Sequence, residues 1–133
     1  MRSLEELRVA RAIKEALKEL SIETHAEFPQ LQIRAHHFIN VKDWDKVYHL
    51  CIPIEMSKRL CYRSHNHYAY WYALKRANEA NNLARKGNYR KAKKLFRKAI
   101  RYFIERSDEI FIEERVAPYT FKITILKTKE VSM

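Results

Sequence analysis

A chain of 133 residues with 47% hydrophobic residues and a formal net charge of +11 is sized for one domain with a modest core, and is too apolar for wholesale disorder. No apolar run approaches the roughly 20 residues of a membrane span, and the charged N-terminus MRSLEELRVARAIKEALKEL does not read as a signal peptide. Two cysteines, Cys51 and Cys61, do not make a disulfide scaffold and favour an intracellular product.

Gly87 is the single glycine, where average usage gives about nine. Hairpins and βα turns lean on glycine for positive φ. With only three prolines as well, the chain has few means of turning tightly. The expectation is an all-α fold in one domain, residues 1–133. It comprises an N-terminal helical arm at 1–22, a helical bundle at 41–117 built on a long antiparallel hairpin, and an extended tail at 118–133. Abundant Lys, Arg, Glu and Tyr beside one glycine also suit a thermophilic source.

In chain order, residues 3–21 read as an amphipathic helix. Ser3 is a candidate N-cap with Glu6 at the capping-box position. Val9, Ile13, Ala16, Leu17 and Leu20 form its apolar face, and Arg8, Arg11, Lys14 and Lys18 a basic stripe edged by Glu15 and Glu19. The arm is expected to be poorly docked in the free protein and to order on assembly. Residues 22–40 are irregular, with Pro29 breaking any helix, and His36 and His37 read as packing or solvent groups. In VKDWDKVYHLCI, Asp43 caps a short helix carrying Trp44, Val47, Tyr48 and Cys51; the alternative is one buried strand, VYHLCIPI.

Residues 64–86 read as a long helix capped by Ser64, with Tyr68, Tyr70, Trp71 and Tyr72 crowding its start as bundle core or a protomer contact. Gly87 supplies a C-cap and Asn88 the next N-cap, making an elbow. The second arm runs from Tyr89 to Arg115, and its distal half is acidic. The tail TFKITILKTKEVSM alternates like a strand without an obvious partner.

The charge is concentrated on the elbow. Residues 75–101 hold eleven Lys or Arg and one acid, Glu79, so 11 − 1 gives +10 of the chain's +11. From Tyr89 onward, Ala92, Phe96, Ala99 and Phe103 share one helical face, while Arg90, Lys91, Lys94, Arg97, Lys98 and Arg101 fall within an arc of roughly 120° on the other. Solvated faces normally mix signs into i,i+4 pairs, and this one does not. The candidate DNA-binding residues are therefore Arg8, Arg11, Lys14 and Lys18 on the first helix and Arg85, Lys86, Arg90, Lys91, Lys94, Arg97, Lys98 and Arg101 on the hairpin. Their role is phosphate neutralisation without sequence readout.

Three other readings compete. Cys51, Cys61, His65 and His67 are zinc-ligand types, but C-x9-C-x3-H-x-H fits no familiar spacing. An apolar run ending in Glu55 and Lys58, after Asp43 and Asp45, resembles the PD-(D/E)XK nucleases, and HNHYAYWYALKRANE resembles the helix that follows this motif in CRISPR-associated RecB-like nucleases. Here the spacing is E-x-x-K, which on one strand sends Lys58 to the face opposite Glu55. NNLARKGNYRKAKKLFRKAI resembles the elbow of tetratricopeptide repeats and of microtubule-interacting-and-trafficking domains, over about one repeat where a solenoid needs about three.

A short, basic, aromatic-rich and nearly glycine-free chain with an amphipathic helix ahead of a helical bundle also resembles, across its length, the major coat proteins of filamentous double-stranded DNA viruses of hyperthermophilic archaea, the tristromavirus group among them. The resemblance implies a structural protein with no enzyme activity and no cofactor, metal or small-molecule substrate. It implies partnership with double-stranded DNA and with copies of itself or a paralogous coat protein, in a helical nucleocapsid that is assembled in the host cytoplasm and carried in the virion. A cellular nucleic-acid-binding regulator, an RNA-binding module and a degenerate RecB-like nuclease are the alternatives.

Overall fold

A computed structural model describes residues 3–36 and 46–128. Three helices and five strands follow one another as α1 (Leu4–Glu19), β1 (Gln32–His36), β2 (Val47–Glu55), β3 (Lys58–Ser64), α2 (His67–Arg85), α3 (Tyr89–Glu105), β4 (Glu109–Ala117) and β5 (Thr120–Thr128). The strands form one antiparallel sheet in the order β1-β2-β3-β4-β5. The helices pack together over one of its faces.

The all-α expectation is thus wrong, and so is the placing of a helical bundle over 41–117. Three physical reasons account for it. First, the β2–β3 and β4–β5 connections are tight hairpin turns made without glycine. Ser57 (φ 72°) and Tyr119 (φ 67°) take the left-handed conformation instead. A low glycine count therefore did not exclude hairpins. Second, Val47–Glu55 is a buried strand, rich in β-branched and aromatic residues, and not the short helix; a run this short has no period that separates the two. Third, the acidic segment after Glu105 is not a continuation of α3. Glu109 and Glu113 face Arg63 and Arg59 across β3, as cross-strand partners, so their charges belong to a ladder and not to a helix face. The tail finds its partner in β4.

Tyr119 follows Pro118 and is almost fully exposed, the order of a type II turn whose third position calls for glycine. A bulky residue there carries steric strain that an exposed ring does not offset. Tyr119→Gly should therefore stabilise the protein by about 1 kcal/mol after the entropy of the freer unfolded chain is subtracted. Calorimetry should show a higher thermal midpoint; a lower one would mean that the ring makes a stabilising contact.

The core lies between the helices and one sheet face. Ala12, Ile13, Ala16 and Leu17 of α1 join Tyr48, Leu50, Ile52 and Tyr62 of the sheet and Phe96, Ile100 and Phe103 of α3 in a single buried cluster. The N-terminal arm is consequently no arm. Its apolar face is seated on α2 and α3, because five buried residues on one helix need a partner and the hairpin supplies it within the same chain. Ser3 caps α1 as expected, its hydroxyl accepting from the Glu6 N–H at 3.2 Å.

On the opposite face of the sheet, Cys51, Cys61 and Phe111 form a second small cluster. The cysteines stand directly opposite each other in the β2–β3 register with Cα atoms 4.2 Å apart, and they are joined as a disulfide. A single bridge is no disulfide scaffold, but a separation of ten residues folds into a hairpin that places the two cysteines side by side. Around them Arg63 Nε donates to His49 Nε2 at 3.1 Å, and Arg59 bonds both Gln32 and Glu113. Accepting from Arg63 requires a neutral imidazole at that nitrogen. Burial, then the neighbouring charges of His36, Arg63 and Arg34, hold the His49 pKa down to about 4.

Candidate nucleic-acid interface

The basic surface is built by the helical hairpin and the helix laid beside it. In α2 the buried residues are all alanines, at positions 69, 73, 77, 80 and 84, with Tyr70 and Leu83 packing beside them half-buried. The helix starts at Asn66, whose side chain accepts from the Ala69 N–H at 3.0 Å; Ser64, the expected cap, instead donates to the Arg106 carbonyl at 2.8 Å. At the other end Gly87 (φ 85°) turns the chain, with its N–H on the Ala84 carbonyl and the Asn88 N–H on the Leu83 carbonyl, both at 2.9 Å. That is a Schellman closure, and it places α3 antiparallel beside α2. The elbow anticipated from Gly87 is present, although Asn88 makes no side-chain cap bond.

In α3, Ala92, Phe96, Ala99, Ile100 and Phe103 are buried. Arg90, Lys91, Lys94, Lys98 and Arg101 are exposed, as are Arg85 and Lys86 at the elbow and Lys14 and Lys18 on α1. These nine of the twelve candidate cations form no ion pair among the described residues. The other three are engaged within the protein. Arg8 Nη1 donates to the Arg85 carbonyl at 2.8 Å, stitching α1 to the elbow. Arg11 pairs with Glu15 at 3.3 Å and lies 4.1 Å from the centre of the Tyr89 ring. Arg97 pairs with Glu19 at 2.9 Å. Lys93, which sequence reasoning left out, meets the same carboxylate at 3.2 Å. The hydrogen bond from Lys93 is the main reason the Glu19 carboxyl titrates below its usual range. Glu19 thus fixes the end of α1 against the middle of α3, and Arg8 fixes its start.

Two features of this surface run against helix stability. Arg90–Lys94, Lys94–Lys98 and Arg97–Arg101 are like charges four residues apart, each costing about 0.2–0.5 kcal/mol. The first turn of α3 holds Arg90 and Lys91 with no acid, at the positive end of the helix dipole. From Arg90 to Arg101 the cations extend over about 16 Å of helix axis.

At the open end of the hairpin, aromatic and guanidinium groups stack in series. Arg76 lies 4.3 Å from the Tyr72 ring centre, Tyr72 and Tyr102 stack at 4.0 Å, and Arg106 lies 3.5 Å from Tyr102. Within the 68–72 cluster, Tyr70 packs on Tyr48 at 4.6 Å, while Tyr68 and Trp71 are exposed.

The other candidate chemistries are dispersed. Cys51 and Cys61 are bonded to each other, His65 Nδ1 lies 2.6 Å from Asp108, and His67 Nδ1 lies 2.9 Å from the Tyr48 hydroxyl, so the four zinc-type residues have separate partners. Among the described residues no group of three or more His, Cys, Asp or Glu gathers as a metal site. Glu55 and Lys58 stand on different strands, opposite each other across the β2–β3 turn. Asp43 and Asp45, with Trp44 and His37, lie outside the described residues. No protein-family model matches the chain, and comparison with curated proteins and with solved structures finds no relative.

Proposed function

We propose that this is a structural, non-enzymatic protein that lays the cations of α1 and the α2–α3 hairpin along the phosphates of double-stranded DNA without reading its sequence. The supporting observation is the one-signed row on α3. It costs helix stability in the absence of a partner, and a polyanion is the partner that offsets the cost. Along α3 there is no Asn, Gln, Ser or Thr, the side chains that with arginine usually read base edges. Lysine and arginine alone suit backbone contacts.

Coating of a duplex by many copies follows from such binding. The further step to a helical viral nucleocapsid in a virion, with a paralogous coat protein as partner, is supported by the resemblance in composition. The helical-bundle element of that resemblance does not carry over, given the sheet.

The test is a titration of affinity for random-sequence duplex DNA against salt. With about six phosphates neutralised per copy, log K should fall with log[salt] at a slope near −5. A flat response would overturn the phosphate-coating reading, a strong preference for one sequence would select the regulator, and tighter binding to RNA the RNA module. Cleavage of the duplex on addition of Mg²⁺, abolished by Glu55→Gln, would restore the nuclease.

A further inference from the structure

We infer that β5 is a dimerisation strand, and that two copies of this chain join edge to edge through residues 121–125 into one ten-stranded antiparallel sheet. The inference concerns assembly and stands independently of nucleic-acid binding.

β5 is bonded to β4 on one side, and among the described residues nothing pairs with its other side. That edge presents a row of unpaired N–H and C=O groups, the feature that natural sheets normally blunt or cover. The strand is also apolar where it is free. Phe121, Ile123 and Ile125 are each about half exposed (49%, 49% and 58%), and they alternate with Lys122 and Thr124. Ile125 stands opposite Phe111, which is buried, and Phe111 stands opposite the buried Cys61. The apolar row on this face therefore runs outward across the sheet and stops at the open edge.

The sequence selects a second copy as the occupant. The stretch Phe-Lys-Ile-Thr-Ile has the same apolar–polar pattern read in either direction. Two copies related by a two-fold axis perpendicular to the sheet must pair residues that point to the same face, so the axis passes through a residue and its own copy. Centred on Ile123, this puts Ile123 against Ile123 of the second copy, Phe121 against its Ile125, and Lys122 against its Thr124. Three apolar contacts line up on the outer face, with two lysine–threonine pairs on the inner one and no like charges opposed. The register also avoids the two irregular points of the β4–β5 ladder, which lie beyond Phe121 and Ile125. Because the axis is perpendicular to the sheet, both helical layers lie on the same side of it, and both cationic surfaces face the same way. Pairing uses up both β5 edges, which closes the assembly at two copies through this contact.

Sedimentation of the full chain without nucleic acid should show a dimer at micromolar concentration. Ile123→Cys places a thiol on the axis, with opposite Cα atoms about 4.5–5.5 Å apart, within disulfide reach. Mild oxidation should give a covalent dimer from Ile123→Cys, and not from Lys122→Cys or Thr124→Cys, whose own copies are one pair removed. Ile123→Lys sets two like charges against each other on an apolar row and should raise the dimer dissociation constant at least about 100-fold. A wild-type monomer, a dimer that Ile123→Lys leaves intact, or cross-linking through Thr124→Cys in place of Ile123→Cys would each overturn the assignment.

Discussion

Replacing Arg90, Lys94, Lys98 and Arg101 together with glutamine should weaken binding to duplex DNA by about 10³-fold at physiological salt and reduce the salt slope by about 3.6, close to 0.9 per contact. The same variant should be more stable to heat than the parent. Glutamine has nearly the helix propensity of lysine and arginine, and the substitutions remove three unfavourable i,i+4 charge pairs and one cation at the positive end of α3. Loss of affinity with a gain in stability is the signature of residues kept for a ligand. If stability falls as far as affinity does, the row has a structural role that the fold does not reveal. Arg8 and Arg97 should behave in the opposite way. Their partners are the Arg85 carbonyl and Glu19, so Arg8→Gln and Arg97→Gln should lower stability modestly while leaving most of the slope in place. Fluorescence anisotropy across a salt series, paired with thermal melts, checks both halves.

Removal of residues 1–21 should abolish cooperative folding. Ile13 and Leu17 are 2% and 0% exposed, and burial of two such side chains contributes about 3–6 kcal/mol, against a net stability of about 5–15 kcal/mol for a whole domain. The truncation would also uncover Phe96 and Ile100, which share the cluster with α1. The graded version is Leu17→Ala, expected to cost about 3 kcal/mol because the site has no exposed surface into which to relax. Urea unfolding followed by near-UV circular dichroism measures both. A truncated chain that keeps a sharp transition at the parent's midpoint would show that α1 is an appendage after all.

The elbow was the most legible part of the chain. A lone glycine between two helical patterns can satisfy a Schellman closure and little else, and the charge that flanks it is visible by counting. The face of α3 was legible for the same reason, since its apolar and basic residues separate cleanly by angle. The strands were harder to read. β3 is Lys-Arg-Leu-Cys-Tyr-Arg-Ser, whose arginines look like surface residues until Glu109, Glu113 and His49 are seen beside them. β4 mixes isoleucine with glutamate in a way that suits either period, and only the register against β3 decides it. The turns at Ser57 and Tyr119 were hidden because positive φ in a serine or tyrosine has no sequence mark. Within the candidate interface, the cations could be named in advance, but which of them are occupied by Arg85, Glu15 and Glu19 depends on how α1 docks, and that is a tertiary fact.

The alanine face of α2 has a consequence for the spacing of the charges above it. Alanine has no rotamers to freeze, so the helix docks without losing side-chain freedom at any of its five buried positions. Added bulk at Ala73, Ala80 or Ala84, none of which has any exposed surface, must lift the helix, and the elbow moves with it, whereas Ala77 borders an open cavity beside α1. The distance between the cations of the elbow and those of α1 is thus held from two sides, by the Arg8 bond to the Arg85 carbonyl and by a helix seated through the smallest side chains in the molecule.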